Sequence, residues 1–324
     1  MTHQMAKPTK IEASRNLVKL IVKEFRGNYP DLNLNSLGFA PPSSIENVKL
    51  TQKQICQIDL HPIVLSTICG TTFGDSSLVV HSNYKNARLN YRHSTRQTDW
   101  FLWKTLCVFK ELASEEGIQF QLPDGFQAAV HPNTAGELLG KLKMSTNVNS
   151  KLTQLRDIIA PNNVKTIERN WLNHMNNYFL MTLWLDDGSL IGGLGRQGIL
   201  STGAMPLKQT QLLADYLKKV WGIKCDAREL TKQPMKNGMF QTRLFIKDQE
   251  SLMKFLKIIA PIIPVKSMLY KVCFFPETVS LQQRWASELK ELVRPEWHDA
   301  LDQIYFYKRI KFLVSNNSEE DIVH

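Results

Sequence analysis

The feature that most constrains the fold of this chain is an internal repeat. Three short segments recur in the same order, the first two pairs with a shift of 112 residues and the third with a shift of 100. The pairs are DSSL at 75 and DGSL at 187, QT at 97 and 209, and IIAP at 158 and 258. Recurrence in a constant order indicates a duplicated structural unit. The change of register places about 12 additional residues between residues 98 and 143 of the first copy. There Gly117–Gly136 reads as a long loop or an elaborated hairpin.

Both copies contain the same order of predicted elements. Each opens with an apolar helix that ends in an acid, at Ile63–Asp75 and at Tyr178–Asp187. Strands follow, and Ala87–Ser94 alternates polar and apolar residues as a half-buried strand does. An amphipathic helix comes next. In the second copy two further strands then flank Asn237–Gly238, a pair typical of type I′ turns, and a last helix ends before Pro261.

This order predicts an α+β fold with two pseudo-symmetric αββαββα units. We place an N-terminal extension at residues 1–55 and the first unit at 56–172. The second unit follows at 173–274, and a helical C-terminal extension with an acidic tail occupies 275–324.

Charge and composition narrow the class of function. The net charge of +10 and the pI of about 9.3 favour a polyanionic partner, of which nucleic acid is the commonest. No apolar run reaches the roughly 18 residues expected of a membrane span. The five cysteines form no CxxC pair and the eight histidines show no ligand spacing, so a zinc site is not expected. Scattered cysteines in odd number also fit a reducing compartment.

The acids that end the two apolar helices form the candidate site. Small residues near the helix ends (Gly70 and Gly74 in the first copy, Thr182 in the second) let the two backbones approach closely. Asp75 and Asp187 would then lie a few ångströms apart, where like charges and two helix C-terminal ends repel each other. A divalent cation relieves this repulsion, and Mg²⁺ (or Mn²⁺) bound by carboxylates commonly also contacts substrate phosphates.

At these helices the chain resembles a known family. The segments ICGTTFGDS (Ile68–Ser76) and LMTLWLDDG (Leu180–Gly188) are similar to the signature helices of double-motif LAGLIDADG homing endonucleases. Through WLDDGS, ILSTGAM and IIPVKSMLYK, the second half is most similar to the branch that contains the yeast mitochondrial omega-intron enzyme. The resemblance covers roughly residues 60–272, and its first copy is diverged, with Ser76 where the family usually has glycine. It implies saddle-shaped antiparallel sheets over the DNA major groove and metal-dependent cleavage of both strands.

The resemblance also implies which residues bind the metal. The last acid of each signature, Asp75 and Asp187, would be the side-chain ligand. The preceding positions, Gly74 and Asp186, would contribute backbone carbonyls, with the Asp186 side chain as a neighbour of the site. Gly188 is expected to end its helix in a left-handed cap.

A basic residue accompanies each metal site in the family. By motif these residues are Lys165 and Lys271, which would stabilise charge on the phosphodiester in the transition state. The internal repeat instead offers Lys266 as the equivalent of Lys165, so the second lysine has two candidates.

Polar side chains on the predicted strands and turns are the candidate DNA contacts. Alternation places several of them on one face of a strand, and the others come from the repeat or lie near strand starts. The candidates are Arg88, Asn90, Arg92, Lys143, Arg196, Gln197, Lys224, Arg228, Lys232, Gln241 and Arg243.

We therefore predict a monomeric, site-specific double-strand DNA endonuclease with a long asymmetric target. The family resemblance favours an organellar location, in a mitochondrion or chloroplast. One alternative is an intron-RNA-binding maturase on the same fold that assists splicing, either with the acids as relics or with both activities. Another is a DNA-binding regulator that does not cleave, against which the intact acids and lysines count.

Overall fold

The structure is a computed structural model that describes residues 10–34, 58–74, 76–121, 140–191, 195–203, 205–230 and 240–320. Its first copy contains the predicted αββαββα order. The helix at Thr98–Leu102 (α3) continues into a π-helical turn at Trp103–Val108. The elements are α2 (Pro62–Phe73), β1 (Ser76–Val79), β2 (Arg88–Ser94), α3 (Thr98–Leu102), β3 (Gln119–Gln121), β4 (Lys141–Ser145) and α4 (Ser150–Ile159), preceded by α1 (Lys10–Asn28).

The second copy repeats this order after the short helix α5 (Arg169–Leu172). The helix at Leu207–Tyr216 (α7) also continues into a π-helical turn, Leu217–Trp221, and stops at Gly222 in the left-handed conformation that glycine adopts readily. The elements are α6 (Asn177–Asp187), β5 (Gly188–Ile191), β6 (Gln197–Ser201), α7 (Leu207–Tyr216), β7 (Asp226–Glu229), β8 (Thr242–Ile246) and α8 (Gln249–Ile259). Beyond them lie a 3₁₀ helix (Lys266–Lys271), α9 (Val279–Leu292) and α10 (His298–Glu320).

The strands form two four-stranded antiparallel sheets with the same topology, β1-β2-β4-β3 and β5-β6-β8-β7. The α+β prediction and the duplication are thereby confirmed. The segment expected to be a loop or hairpin after Gly117 begins with strand β3, which pairs with β4. The predicted type I′ turn at Asn237–Gly238 lies outside the described residues.

Each sheet has an inner face that packs on helices and an outer face that carries polar side chains. In β2, Leu89, Tyr91 and His93 are buried while the alternate residues are partly or fully exposed, as the sequence alternation predicts. The Tyr91 hydroxyl is 2.7 Å from the Thr105 hydroxyl of the π-helical turn after α3, which identifies the inner face of the first sheet.

By their contacts the described residues form two compact units. One contains residues 10–34, 76–121 and 140–153, and the other contains 58–74 and the described residues from 154 to 320. Helix α2 therefore belongs to the same compact unit as α6. The sequence boundaries proposed above describe the repeat and stay a prediction.

Both terminal extensions are integral to the unit in which they lie. Helix α1 packs beside β3 and α3: the Ser14 hydroxyl donates to the Phe120 carbonyl at 3.3 Å, and the Tyr29 hydroxyl donates to Asp99 at 3.1 Å. At the other end, the Trp285 indole on α9 donates to the Val272 carbonyl at 3.1 Å and Tyr305 on α10 is buried. Of the helices within the described ranges, none is long and apolar enough to span a membrane.

Candidate active site

The site is built on the contact between helices α2 and α6. Nearly every residue of both helices is buried, which explains why their sequences are apolar on all sides. A Cβ atom on Gly70 would lie 2.8 Å from both the Phe179 carbonyl oxygen and the Thr182 Cβ. The close approach predicted from the small residues is thus confirmed at Gly70 and Thr182.

The C-terminal ends of the two helices meet at Gly74 and Asp187. Gly74 caps α2, and a Cβ atom there would overlap the carboxylate of Asp187, the last residue of α6. The backbone of one helix end therefore lies directly against the carboxylate of the other. Asp75 lies outside the described residues, so its pairing with Asp187 stays a prediction.

Asp186 is directed at α2 rather than at solvent. It is 8% exposed, and its carboxylate accepts a short hydrogen bond from the Thr71 hydroxyl. The side chain of Asp186 is therefore engaged with α2, and the contribution of its backbone carbonyl to a metal site stays a prediction. Thr71 was missed by the sequence reasoning because nothing local distinguishes a threonine that pairs across two helices from one that only fills space.

The prediction for Gly188 was wrong. Its backbone has φ −79° and ψ 150°, an extended conformation, because the chain passes straight from α6 into β5. Glycine is required there for space: a Cβ atom on Gly188 would collide with the indole of Trp184. Gly188 is therefore the first residue of β5, where it pairs with Leu200 of β6, and α6 does not end in a left-handed turn.

Two lysines lie at the helix ends. Lys165 Nζ is 3.3 Å from the Gly74 carbonyl oxygen, and Lys271 Nζ is 2.6 Å from the Gly188 carbonyl oxygen. Lys271 is only 7% exposed, and the Trp184 indole donates to its backbone carbonyl at 2.9 Å. Lys266, the other candidate from the repeat, is exposed at the start of the same 3₁₀ helix. Lys271 is thus held against the residue that follows α6, and the choice between Lys266 and Lys271 for the second site stays a prediction.

The groups at the helix ends fit a divalent cation. A carboxylate, backbone carbonyls and the negative ends of two helix dipoles provide hard oxygen donors and a negative potential. Within the described ranges there is no cluster of three or more His, Cys, Asp or Glu side chains that could hold a metal alone. Mg²⁺ usually binds through one or two carboxylates and completes its coordination with water and substrate phosphate. Burial raises the pKa of the Cys69 thiol on α2 to about 12, which makes it a poor nucleophile at neutral pH.

The outer face of each sheet carries cations placed directly opposite each other. Arg92 on β2 pairs in register with Lys143 on β4, and Arg228 on β7 pairs with Arg243 on β8. Like charges across a strand pair are unfavourable, so these pairs are expected where an anion binds. The strands of the first sheet contain no acidic residue.

The remaining predicted DNA contacts fall into different places. Arg88, Asn90 and Gln197 lie on the outer faces beside the cation pairs. Lys224 is exposed just before β7, and Gln241 lies just before β8. Lys232 lies outside the described residues.

Arg196 has an intramolecular partner. Its guanidinium forms a short ion pair with Glu277, whose position before α9 gave no sequence signal of the contact. Sequence reasoning also missed Lys141, which the KLKMS alternation places on the same face as Lys143.

Comparison with known proteins agrees with this geometry. A model of the LAGLIDADG DNA endonuclease family matches residues 65–251. Among solved structures, the chain is similar to the homing endonuclease I-WcaI bound to its DNA recognition sequence, with 18% identity and a TM-score of 0.54. That match covers 74% of this chain and 97% of the other.

A second similar structure is the N-terminal LAGLIDADG domain of DUF199/WhiA. It has 12% identity and a TM-score of 0.36, and the match covers 66% of this chain and 96% of the other. No curated protein matches the chain. Because the family model spans more than half of the sequence, the chain belongs to the LAGLIDADG DNA endonuclease family.

Proposed function

We propose that this protein is a homing endonuclease that hydrolyses one phosphodiester in each strand of a long, asymmetric DNA site. The observation that carries the proposal is the meeting of the two signature-helix ends, where the Asp187 carboxylate lies against Gly74. Membership of a DNA endonuclease family and the opposed cations on both sheets support it. The segments quoted for the omega-intron branch lead us to place the chain in that branch.

Asp75 and Asp187 would hold a divalent ion, Mg²⁺ or Mn²⁺, with the backbone carbonyls of Gly74 and Asp186 beside it. A divalent ion bound there neutralises charge on the phosphodiester and makes water a stronger nucleophile. The Thr71 hydroxyl holds the Asp186 side chain, and so orients the last turn of α6.

The two lysines supply fixed positive charge at the helix ends. Lys165 and Lys271 are each held by a backbone carbonyl, at 3.3 and 2.6 Å. Preorganised cations of this kind stabilise charge that develops on the phosphodiester oxygens without having to reorganise during the reaction. We propose that the protein acts as a monomer, since the repeat supplies both halves of the site, and that it works in an organelle.

The proposal is tested by selecting cleaved sites from a randomised duplex DNA library with Mg²⁺ or with EDTA. We expect one discrete site, cut only by the parent protein and only with metal, while Asp187→Asn is inactive at the same site. Cleavage by Asp187→Asn at the parental rate would exclude the proposed metal site. Absence of any selected site with any divalent ion would overturn the nuclease function.

A second candidate function is binding of intron RNA, as in a maturase. The observation that favours it is on α10, where Phe306 and Tyr307 are 60% and 69% exposed and Ile310 is 43% exposed. Exposed Arg309 and Lys311 lie beside them on the helix. Unpaired RNA bases stack on aromatic side chains while cations contact the phosphates.

This candidate is tested with a pool of structured RNA and duplex DNA as competitor. A variant with Phe306→Ser and Tyr307→Ser is expected to lose RNA affinity and keep DNA cleavage, and Asp187→Asn is expected to keep RNA affinity. Equal RNA binding by the parent and the double variant, or full competition by duplex DNA, would exclude a dedicated RNA surface on α10.

A further inference from the structure

Resting on the proposed function, we infer that the two sheets recognise their half-sites by different chemistry. The second sheet reads thymine through its methyl group, using an apolar row that contains Ile199 and Phe245. The first sheet has polar residues in the corresponding row and recognises its half-site mainly through cations. The argument rests on the strand register, which allows the two outer faces to be compared position by position.

The central row of each outer face runs across three strands. Direct register partners define it, because residues opposite each other in an antiparallel pair share a face. The row of the first sheet consists of Ser77, Asn90 and Ser145, and the row of the second consists of Ser189, Ile199 and Phe245. Since Ser77 and Ser189 are equivalent in the repeat, the same place is polar in one sheet and apolar in the other.

The outer face of the first sheet also carries more cations around its row than the outer face of the second sheet. In the first sheet four positions of the outer face carry a cation, whereas three of the four equivalent positions in the second copy are neutral. The equivalent pairs are Arg88 and Gln197, Arg92 and Ser201, Lys141 and Gln241, and Lys143 and Arg243. Strand β7 adds Arg228, but Asp226 lies 3.3 Å from its guanidinium.

Phe245 provides most of the accessible apolar surface of the row. It is half-buried, whereas Ile199 is only 6% exposed. The Arg228 guanidinium lies 5.7 Å from the centroid of the Phe245 ring, on the same outer face. The inner face is occupied by other residues: a Cβ atom on Gly198 would point at Leu252 of α8 and at Trp184 of α6. The Phe245 ring therefore belongs to the polar side of the sheet, where core packing does not require it.

The chemistry of the major groove indicates what such a ring recognises. Among the base edges displayed there, the C5-methyl group of thymine is the apolar one, and phenylalanine is a residue that contacts it. Within this row Ile199 and Phe245 offer no hydrogen bond to a guanine, cytosine or adenine edge, and the polar neighbours are Ser189 at one end and Asp226 of β7 at the other. The first row, with two serines and an asparagine, has the opposite character and offers nothing to a methyl group.

The test replaces single thymines of the selected target by deoxyuridine, which removes only the methyl group. For the full-length parent, kcat/KM should fall about fourfold at one or two positions, all within one half-site. The Phe245→Ser variant, which copies Ser145 of the first sheet, should cut thymine and deoxyuridine sites equally. Phe245→Leu, which keeps an apolar side chain, should retain most of the discrimination.

Ser145→Ala is the matched control in the first sheet and should leave the deoxyuridine effect unchanged. The thermal midpoint of each variant shows whether it is folded, and the deoxyuridine series on the parent carries the test if Phe245→Ser is not. Cleavage with no deoxyuridine effect at any thymine, or with an equal effect in parent and Phe245→Ser, would overturn the inference and leave the nuclease intact. A parent that cleaves no DNA would instead overturn the proposed function.

Discussion

Replacing Gly70 by alanine tests the close helix contact on which the site depends. The added Cβ atom would lie 2.8 Å from the Phe179 carbonyl oxygen and the Thr182 Cβ, and 3.3 Å from the Leu183 nitrogen. These are backbone atoms and a Cβ, so relief requires the helices to separate. Overpacking of this kind lowers the free energy of unfolding by about 1–3 kcal/mol. Alanine in place of glycine within a helix raises it by about 0.5–1 kcal/mol. The expected net loss of unfolding free energy, the difference of these two ranges, is therefore between about 0 and 2.5 kcal/mol, whereas Gly27→Ala should lose none.

The measurement is denaturant unfolding followed by tryptophan fluorescence, with cleavage of the selected site as a second readout. Gly27→Ala on α1 is the matched control, because nothing lies within 4 Å of a Cβ atom there. It should be as stable as the parent or slightly more stable. If Gly70→Ala behaves like Gly27→Ala, the close approach of α2 and α6 does not constrain the protein and the argument for the site fails.

Three further predictions follow from individual contacts. Lys271→Met should lower kcat by about 100-fold at the selected site, whereas Lys266→Met should change it little; a similar loss in both would contradict the assignment of the second lysine. Thr71→Val should destabilise the fold by about 1–3 kcal/mol in denaturant unfolding, because the buried Asp186 carboxylate loses a donor, and Thr71→Ser should restore most of it. Burial raises the pKa of four thiols, so alkylation at pH 8 should require denaturant, and stability should fall as pH rises above the unfolded thiol pKa of about 8.5. Burial raises the pKa to about 12 for the thiols of Cys69, Cys225 and Cys273 and to about 11 for that of Cys107. Rapid labelling of all four thiols in the native protein would refute that prediction.

The C-terminal extension makes a contact that local sequence patterns do not predict. The sequence predicts a helix after residue 275, and α9 is found at Val279–Leu292. The ion pair between Glu277 and Arg196 joins residues 81 positions apart. No periodicity encodes such a pairing, so Arg196 appears from sequence only as a candidate DNA contact.

The sequence by itself determined the order of elements, the duplication and the two faces of strands such as Arg88–Ser94. These follow from periodicities of two and 3.6 residues, which are set by the local geometry of the backbone. The helix C-terminal acids could be found for the same reason, since an apolar run that ends in Asp186 and Asp187 is visible without any tertiary contact.

Tertiary structure alone decided which side chains meet. Thr71 and Asp186 are 115 residues apart, and Lys271 reaches the Gly188 carbonyl because the 3₁₀ helix turns that side chain inward. Gly188 is extended and needed for the space against Trp184, although its place after a helix resembles that of a left-handed cap. In each case the outcome depends on steric or electrostatic contact between segments that are far apart in the sequence. Such contacts are set by tertiary packing and not by neighbouring residues.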